Sequence, residues 1–384
     1  MGKTLIVGAG ITGAVTAHLL QEAKRASRIA SDVIVWEKNN IVGGRMMARS
    51  FRKNRQVHVD MGAQYLTRFT HTNDDIRELL VQANKLAPFD DSRILPDAKR
   101  LHESSAIKDH TVSPDSHGLR SIVEYLLKDT PTRLSKEVDR YEILNKNEIK
   151  VIATDGDEVV VNDLVFTCPI PAVLPILRAS DYDKARIEEN TSLSDVKYSK
   201  RFAIAFLFDK SIAAQVKQLG WTAKYVSADE DSIIRYLCWD NLKKDATSED
   251  HFTLLVHTGV PFGEQYIDRK DQDEEVLATV RASLKKLLPF LPSEEDTIVH
   301  RWRYPTRCSE NRRTCKSTKA LVIRRHSQVV KPHDDPLVPS LVLNSSLNIY
   351  LAGDAFLGST FDKCLLSAKS VVEMLSQRHG ASSL

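Results

Sequence analysis

The chain has 384 residues, and its 54 lysines and arginines against 51 aspartates and glutamates leave a formal net charge of only +3. So small an excess does not by itself imply a nucleic-acid or membrane partner, and no stretch nears the ~18 consecutive apolar residues of a membrane span. The length calls for two domains with a sizeable core, and 42% hydrophobic with 27% charged residues is ordinary for a soluble globular protein. Five scattered cysteines, Cys168, Cys238, Cys308, Cys315 and Cys364, suit reduced thiols and a cytoplasmic location better than a disulfide framework. Cys308 and Cys315 lack the pairing of a zinc site, so no metal is expected.

The opening residues Lys3 to Gly13, KTLIVGAGITG, set the frame. Leu5 to Val7 is an apolar run without polar alternation, as in a parallel strand buried on both faces. Gly8, Gly10 and Gly13 follow at G-x-G-x-x-G spacing, and Ala14 to Leu20 reads as a helix. The first glycine permits the turn, the second admits a pyrophosphate against the backbone, and the third lets helix and strand pack closely. A second strand, Val33 to Trp36, ends at Glu37, where a carboxylate can accept from both hydroxyls of an adenosine ribose. Strand, turn, helix, strand and acid in that order predict dinucleotide binding.

Gly43, Gly44 and Arg45 come next, in IVGGRMM. Two glycines admit backbone against a phosphate or ring, and the arginine can neutralise the dinucleotide. In this position they favour a flavin over a nicotinamide cofactor. Val57 to Tyr65 alternates towards Asp60 and a turn in which Gln64 and Tyr65 are candidates to meet the flavin ring or a substrate.

Further along, Asp74 to Leu86 and Gly118 to Lys128 have helical apolar spacing. Ile149 to Ala153, Val159 to Val161 and Leu164 to Cys168 read as short strands, the last running into Pro169 and Pro171 as an exit towards another domain. From Phe202 to Phe208, Ala223 to Val226, Ile233 to Cys238, Thr253 to Thr258 and Ile298 to Trp302 the runs suit a single sheet, with a helix at Glu274 to Leu288. Ile349 to Leu351 leads into Gly353 and Asp354, and Cys364 to Gln377 forms a last helix, so a second strand-turn-helix unit presents an acid.

KTLIVGAGITG, WEK at Trp36 to Lys38, GGRM at Gly43 to Met46 and DMGAQY at Asp60 to Tyr65 resemble the opening of the renalase family, flavoproteins related to the flavin amine oxidases. GLRSIVEYL (Gly118 to Leu126), YSKRFAIAFLFD (Tyr198 to Asp209), WTAKYVS (Trp221 to Ser227), IRYLCWDNLK (Ile234 to Lys243), LVHTGVPFG (Leu255 to Gly263), Trp302-Arg303, AGDAF (Ala352 to Phe356) and FDKCLLS (Phe361 to Ser367) continue the likeness over nearly the whole chain.

The resemblance implies an α/β fold: a Rossmann-like FAD-binding domain of amine-oxidase type, over residues 1–67, 112–170 and 307–384, with a second α+β substrate domain, over 68–111 and 171–306, built on a mixed, mainly antiparallel sheet. It implies noncovalent FAD held by Gly8, Gly10, Thr12, Gly13, Glu37, Lys38, Gly44, Arg45, Gln64, Tyr65, Val138, Gly353 and Asp354, the last at the ribityl or pyrophosphate region. Tyr225, His257 and Trp302 are the implied catalytic residues, aromatic faces suiting a nicotinamide-like ring and His257 orienting its carboxamide or tuning the flavin.

The implied activity oxidises 2- and/or 6-dihydro isomers of NAD(P)H to NAD(P)+, reducing O2 to H2O2. Isomeric dihydro-NAD(P) and O2 are then the small-molecule partners of a monomer or weak dimer, without nucleic acid or membrane. The alternatives are a flavin amine oxidase and a non-catalytic flavoprotein for binding or signalling. A basic segment departs from the family pattern, with Arg301, Arg303, Arg307, Arg312, Arg313, Lys316, Lys319, Arg324, Arg325 and Lys331; it reads as a solvated loop or as a partner for substrate phosphates.

Overall fold

A computed structural model of the chain describes residues 2–69, 75–96, 107–180, 193, 196–244, 250–303, 339–344 and 347–381. The basic stretch at 304–338, with Cys308 and Cys315, lies outside them. The chain forms two compact units: Met1–Gly44 with Val123–Tyr198 and Thr306–Leu384, and Arg45–Ile122 with Ser199–Pro305. The first division thus falls directly after the glycine pair, and the third comes at Tyr198 rather than at the Pro169–Pro171 pair. A helix, Ile170–Ala179, begins at those prolines and buries Ile170, Val173 and Leu177 in the first unit's core. Proline suits a helix's first turn because the N–H it lacks would have no intrahelical partner there.

The first unit is built on six strands in the order Ser340–Asn344, Ile349–Ala352, Asp163–Phe166, Gly2–Val7, Ser31–Trp36, Thr132–Arg133. The edge strand Ser340–Asn344 is antiparallel and the other pairings are parallel. Leu5, Ile6, Leu164 and Val165 are fully buried because both faces are covered. Helices Ile11–Arg25 and Phe361–Ala381 pack on each other and against this sheet. A three-stranded antiparallel sheet, Val138–Asn145, Glu148–Ala153 and Glu158–Val161, contributes Tyr141, Ile149 and Val151 to a core shared with Leu5, Leu164 and Phe166.

The second unit centres on another six-stranded sheet, in the order Asp296–Trp302, Arg201–Asp209, His251–Thr258, Ile234–Trp239, Ala223–Tyr225, Ile94–Leu95. Its pairings are antiparallel except the last, which is parallel. Alternation sends Phe202, Ile204, Phe206, Leu254 and Val256 into one core, where Phe262, Val276 and Val280 of helices Val260–Tyr266 and Asp273–Leu287 meet them. The pairing slips between Ile234 and Tyr236, so that both Ile234 and Leu237 reach that core and Tyr236 joins the opposite face.

On that opposite face the register aligns Tyr225 with Tyr236, Tyr236 with His257, His257 with Ala203, and Ala203 with His300. One line of side chains therefore crosses five strands, aromatic or imidazole except at Ala203.

Candidate functional site

In the first unit, backbone geometry gathers the glycines. Gly8 has φ +109°, a conformation costly for a side chain, and a Cβ on Gly13 would lie 2.0 Å from the Gly8 carbonyl oxygen. Gly10 is different: a Cβ there would meet nothing within 4 Å. Helix and strand thus need glycine at 8 and 13, while open space at Gly10 leaves room for a ligand above the N-terminus of helix Ile11–Arg25. Gly43 N–H donates to the Ala9 carbonyl at 2.9 Å, bringing Gly44 over the same turn, where its Cβ would stand 3.2 Å from Gly10 Cα.

Glu37 is buried at the end of its strand. One carboxylate oxygen accepts from Ala9 N–H at 2.8 Å and the other from Asn39 N–H at 2.9 Å. These bonds fix the carboxylate beside the glycine turn. Lys38 is exposed, and Val138 is buried at the start of its strand.

The second glycine turn reaches the same place. Gly353, at φ +123°, points its Cβ direction to 3.4 Å from the Thr167 carbonyl and 4.0 Å from Thr12 Oγ1. Its N–H donates to Ser367 Oγ at 2.8 Å. Asp354 is buried and accepts from Tyr198 Oη at 3.0 Å and Ser359 Oγ at 2.6 Å. The first unit therefore assembles Gly8, Gly10, Thr12, Gly13, Gly44, Gly353 and, through the glycine turn, Glu37.

Thr167 completes this group and escaped the sequence reading. Its hydroxyl lies 3.1 Å from the Val7 carbonyl and 3.0 Å from that of Gly8, tying the third strand's end to the turn. A polar residue closing the buried run Leu164 to Phe166 was the available signal. These features fit a dinucleotide such as FAD: open space at Gly10, a carboxylate fixed beside the turn, and two glycine turns meeting at Thr12 and Thr167.

The remaining candidates lie in the second unit. Tyr65 and Tyr225 join through their hydroxyls. The Tyr65 ring also packs edge-on to His110, centroids 4.5 Å apart, and stacks on Phe89 at 6.0 Å. His257 Nε2 and Trp302 Nε1 both reach the Met61 carbonyl, at 3.0 and 2.9 Å. Burial lowers His257 to about 4 and His300 likewise to about 4, so both rings are neutral around pH 7. The His300 and Trp302 rings meet edge to face, 4.3 Å apart.

Gln64 is turned inward: its amide nitrogen donates to the Asp60 carbonyl at 2.6 Å and its oxygen faces Lys243 Nζ at 3.4 Å. Arg45 lends its carbonyl to Ala63 N–H, and Gly62 must be glycine because a Cβ would sit 2.1 Å from that same oxygen. Tyr236 was not singled out among the candidates. It stands 5.0 Å from the Tyr225 ring and 5.7 Å from that of His257, and burial pushes its phenol well above 10.

Among the described residues, no group of three or more His, Cys, Asp or Glu is placed to hold a metal ion, and no helix is long and apolar enough to cross a membrane. Cys168 and Cys238 are free, and burial raises both to about 12.

Comparison with known proteins agrees with this geometry. The family described as NAD(P)-binding Rossmann-like domain matches residues 6–83, and that described as flavin containing amine oxidoreductase matches residues 89–375, well over half of the chain. Renalase of Mus musculus is 27% identical over 382 residues, covering 98% of this chain and 99% of that protein. A possible lysine-specific histone demethylase 1 of Drosophila melanogaster is 42% identical over 67 residues, 17% of this chain and 6% of that protein. Among solved structures, a putative protoporphyrinogen oxidase from Exiguobacterium sp. 255-15 superposes with a TM-score of 0.68 at 14% identity, covering 98% of this chain and 99% of the other. A redesigned putrescine oxidase gives 0.61 at 13% identity, covering 98% and 99%. Both structures share the fold.

Proposed function

This chain belongs to the family of flavin-containing amine oxidoreductases, and on that premise we propose that it is a renalase-like oxidase. Its substrates are the 2- and/or 6-dihydro isomers of NAD(P)H, which it oxidises to NAD(P)+ while O2 becomes H2O2. The observation that carries this reading is the end-to-end likeness to renalase, over 98% of this chain and 99% of that protein. Gly8, Gly10 and Gly13 would hold the pyrophosphate of a noncovalent FAD, Glu37 its adenosine ribose and Asp354 its ribityl region. When bound, it supplies hydride acceptance and the return of two electrons to O2.

The chain's own residues orient and shield. A dihydropyridine isomer already bears a transferable hydride and gains aromaticity on losing it, so no strong base is required. The second unit's sheet face suits that demand. His257 is neutral and donates to a backbone carbonyl, the Tyr65 and Tyr225 hydroxyls engage each other, and the rings of Tyr225 and Trp302 offer flat surfaces. Stacking, orientation and exclusion of water then supply the rate. The free thiols at Cys168 and Cys238 fit a reducing compartment, and the cytoplasm is the proposed location.

The test is direct. The purified protein should show visible flavin absorption that bleaches when isomeric dihydro-NAD is added anaerobically, with NAD+ and peroxide appearing once air is admitted. Bleaching by amines alone would replace this reading with amine oxidation. A flavin inert to both would leave a binding role.

A further inference from the structure

Behind the Gln64–Tyr65 turn the second unit buries a cluster of four charges that the proposed reaction does not use. The Lys243 side chain is 1% exposed, and its ammonium lies 2.7 Å from Asp60 Oδ2 and 2.7 Å from Asp240 Oδ1. Gln64 Oε1, at 3.4 Å, takes its third direction. The other oxygen of Asp240 meets Lys244 Nζ at 2.5 Å, and Lys244 also donates to the His58 carbonyl at 3.1 Å. Two carboxylates and two ammoniums balance. Asp60 is held further by Leu119 N–H at 2.9 Å, and Gly118, at φ +60°, is the residue whose Cβ would come within 2.1 Å of that same carboxylate oxygen.

A buried ion cluster is seldom more stabilising than apolar packing of equal volume, so its use is sought in the single arrangement it enforces. Here that arrangement is the turn. Because Lys243 has donors alone, it selects the oxygen end of the Gln64 amide, which leaves the NH2 end for the carbonyls of Asp60 at 2.6 Å and Gly62 at 3.2 Å. Within the same turn the Met61 carbonyl receives His257 and Trp302, and Tyr65 reaches Tyr225.

We propose that Lys243 is a positioning residue: through Asp60 and Gln64 it sets the Met61–Tyr65 turn, and with it the Tyr65–Tyr225 pair and the shared acceptor of His257 and Trp302. Removing its ammonium leaves two buried carboxylates facing each other, and like charges at that range favour uptake of one proton. The other groups around them do not replace it. Lys244 is engaged by Asp240 and the His58 carbonyl, the Cys238 thiol and His257 are neutral, and Gln64 is an amide. The turn in Lys243→Met is therefore loosened at pH 8 and recovers towards pH 6. Asp240→Asn in the same chain removes the repulsion and provides an amide that can donate to Asp60.

The experiment uses the flavin-loaded protein. Amide hydrogen exchange of the 60–65 segment, each variant against the parent at the same pH, should be about tenfold or more faster in Lys243→Met at pH 8, nearer the parent at pH 6, and parent-like at both in Lys243→Met/Asp240→Asn. The KM for isomeric dihydro-NAD should rise about tenfold at pH 8 with kcat changed far less, and fall back in the double variant. Equal loosening at both pH values, or a double variant that exchanges as fast as the single, overturns the proposal. Should Lys243→Met not fold, the double variant decides: folding with parent-like protection supports the proposal, and failure to fold overturns it. The KM arm rests on the substrate reading above. A parent whose flavin isomeric dihydro-NAD does not reduce refutes that reading, while exchange still decides the role of Lys243.

Discussion

His257 and Trp302 stand on strands separated by one other strand and donate to a single acceptor, the carbonyl of Met61, from Nε2 at 3.0 Å and Nε1 at 2.9 Å. A carbonyl can accept but not donate. The proton of the neutral imidazole is therefore on Nε2, and Nδ1 is left as an acceptor. The two residues proposed to face a substrate thus share the task of holding the Asp60–Gln64 turn.

That sharing makes their substitutions interdependent. His257→Ala and Trp302→Ala should each keep the flavin and slow its anaerobic reduction roughly fivefold, the equivalent of ~1 kcal/mol for one hydrogen bond. The double variant should lose less than the product of the two, because both bonds end on one atom. Stopped-flow bleaching measures all three. Parent rates in both single variants would remove these residues from the proposed site.

The glycines separate ligand from fold. Gly10 has φ −85°, compatible with any side chain, and open space where its Cβ would project. Gly10→Val should therefore melt like the parent without flavin yet fail to retain flavin on gel filtration. Gly13→Ala, whose Cβ would lie 2.0 Å from the Gly8 carbonyl, should destabilise the chain itself by several kcal/mol. Glu37→Ala should do both in part, since it leaves Ala9 N–H and Asn39 N–H without their carboxylate and weakens flavin retention, at a cost of ~1–3 kcal/mol.

The glycine turn and its flanking strands were legible because their requirements are local: φ at Gly8, closeness at Gly13 and apolar runs with two buried faces all act on neighbouring residues. Most strands of the second unit were legible for the same reason. The line from Tyr225 through Tyr236 and His257 to His300 was not, because it depends on register between strands and on the slip between Ile234 and Tyr236. Strand Val138–Asn145 was hidden by its charged positions, and helix Ile170–Ala179 by prolines that read as an exit. Lys243 was hidden most completely, since a lysine is seldom buried unless paired, and of its two carboxylate partners only Asp240 is near in sequence while Asp60 lies 183 residues away.

Thr167→Val provides a test at the meeting of the two glycine turns. Valine keeps the shape but removes the hydroxyl that donates to the Val7 and Gly8 carbonyls. A loss of ~1 kcal/mol in denaturant unfolding is expected, with unchanged m-value. Flavin should also dissociate faster, because Thr167 fixes the turn at Gly8. Stability and flavin retention both matching the parent would remove Thr167 from the cradle.

Acid should reveal the two neutral histidines of the sheet face. His257 and His300 fall from 6.5 to about 4, mainly through burial, so below pH 6.5 the unfolded chain takes up protons that the folded chain refuses. Their contribution is fully present above 6.5 and is lost as pH falls towards 4, with a combined slope approaching ~2.7 kcal/mol per pH unit near pH 5. Two other groups titrate elsewhere. His379 is raised by its bond to Asp163, so its contribution is complete below 6.5 and fades only as pH rises through its folded value. Asp240 is held below the usual carboxylate range by Lys243 and Lys244, and its contribution fades only as pH falls below 3.8. Replacing His300 with Gln should thus halve the slope that the two histidines contribute between pH 6.5 and 4, measured as the difference from the parent in urea unfolding, and leave the alkaline side alone. An acid slope identical to the parent's would mean that His300 is protonated in the folded chain, and the neutral aromatic face proposed for the substrate would lose one of its members.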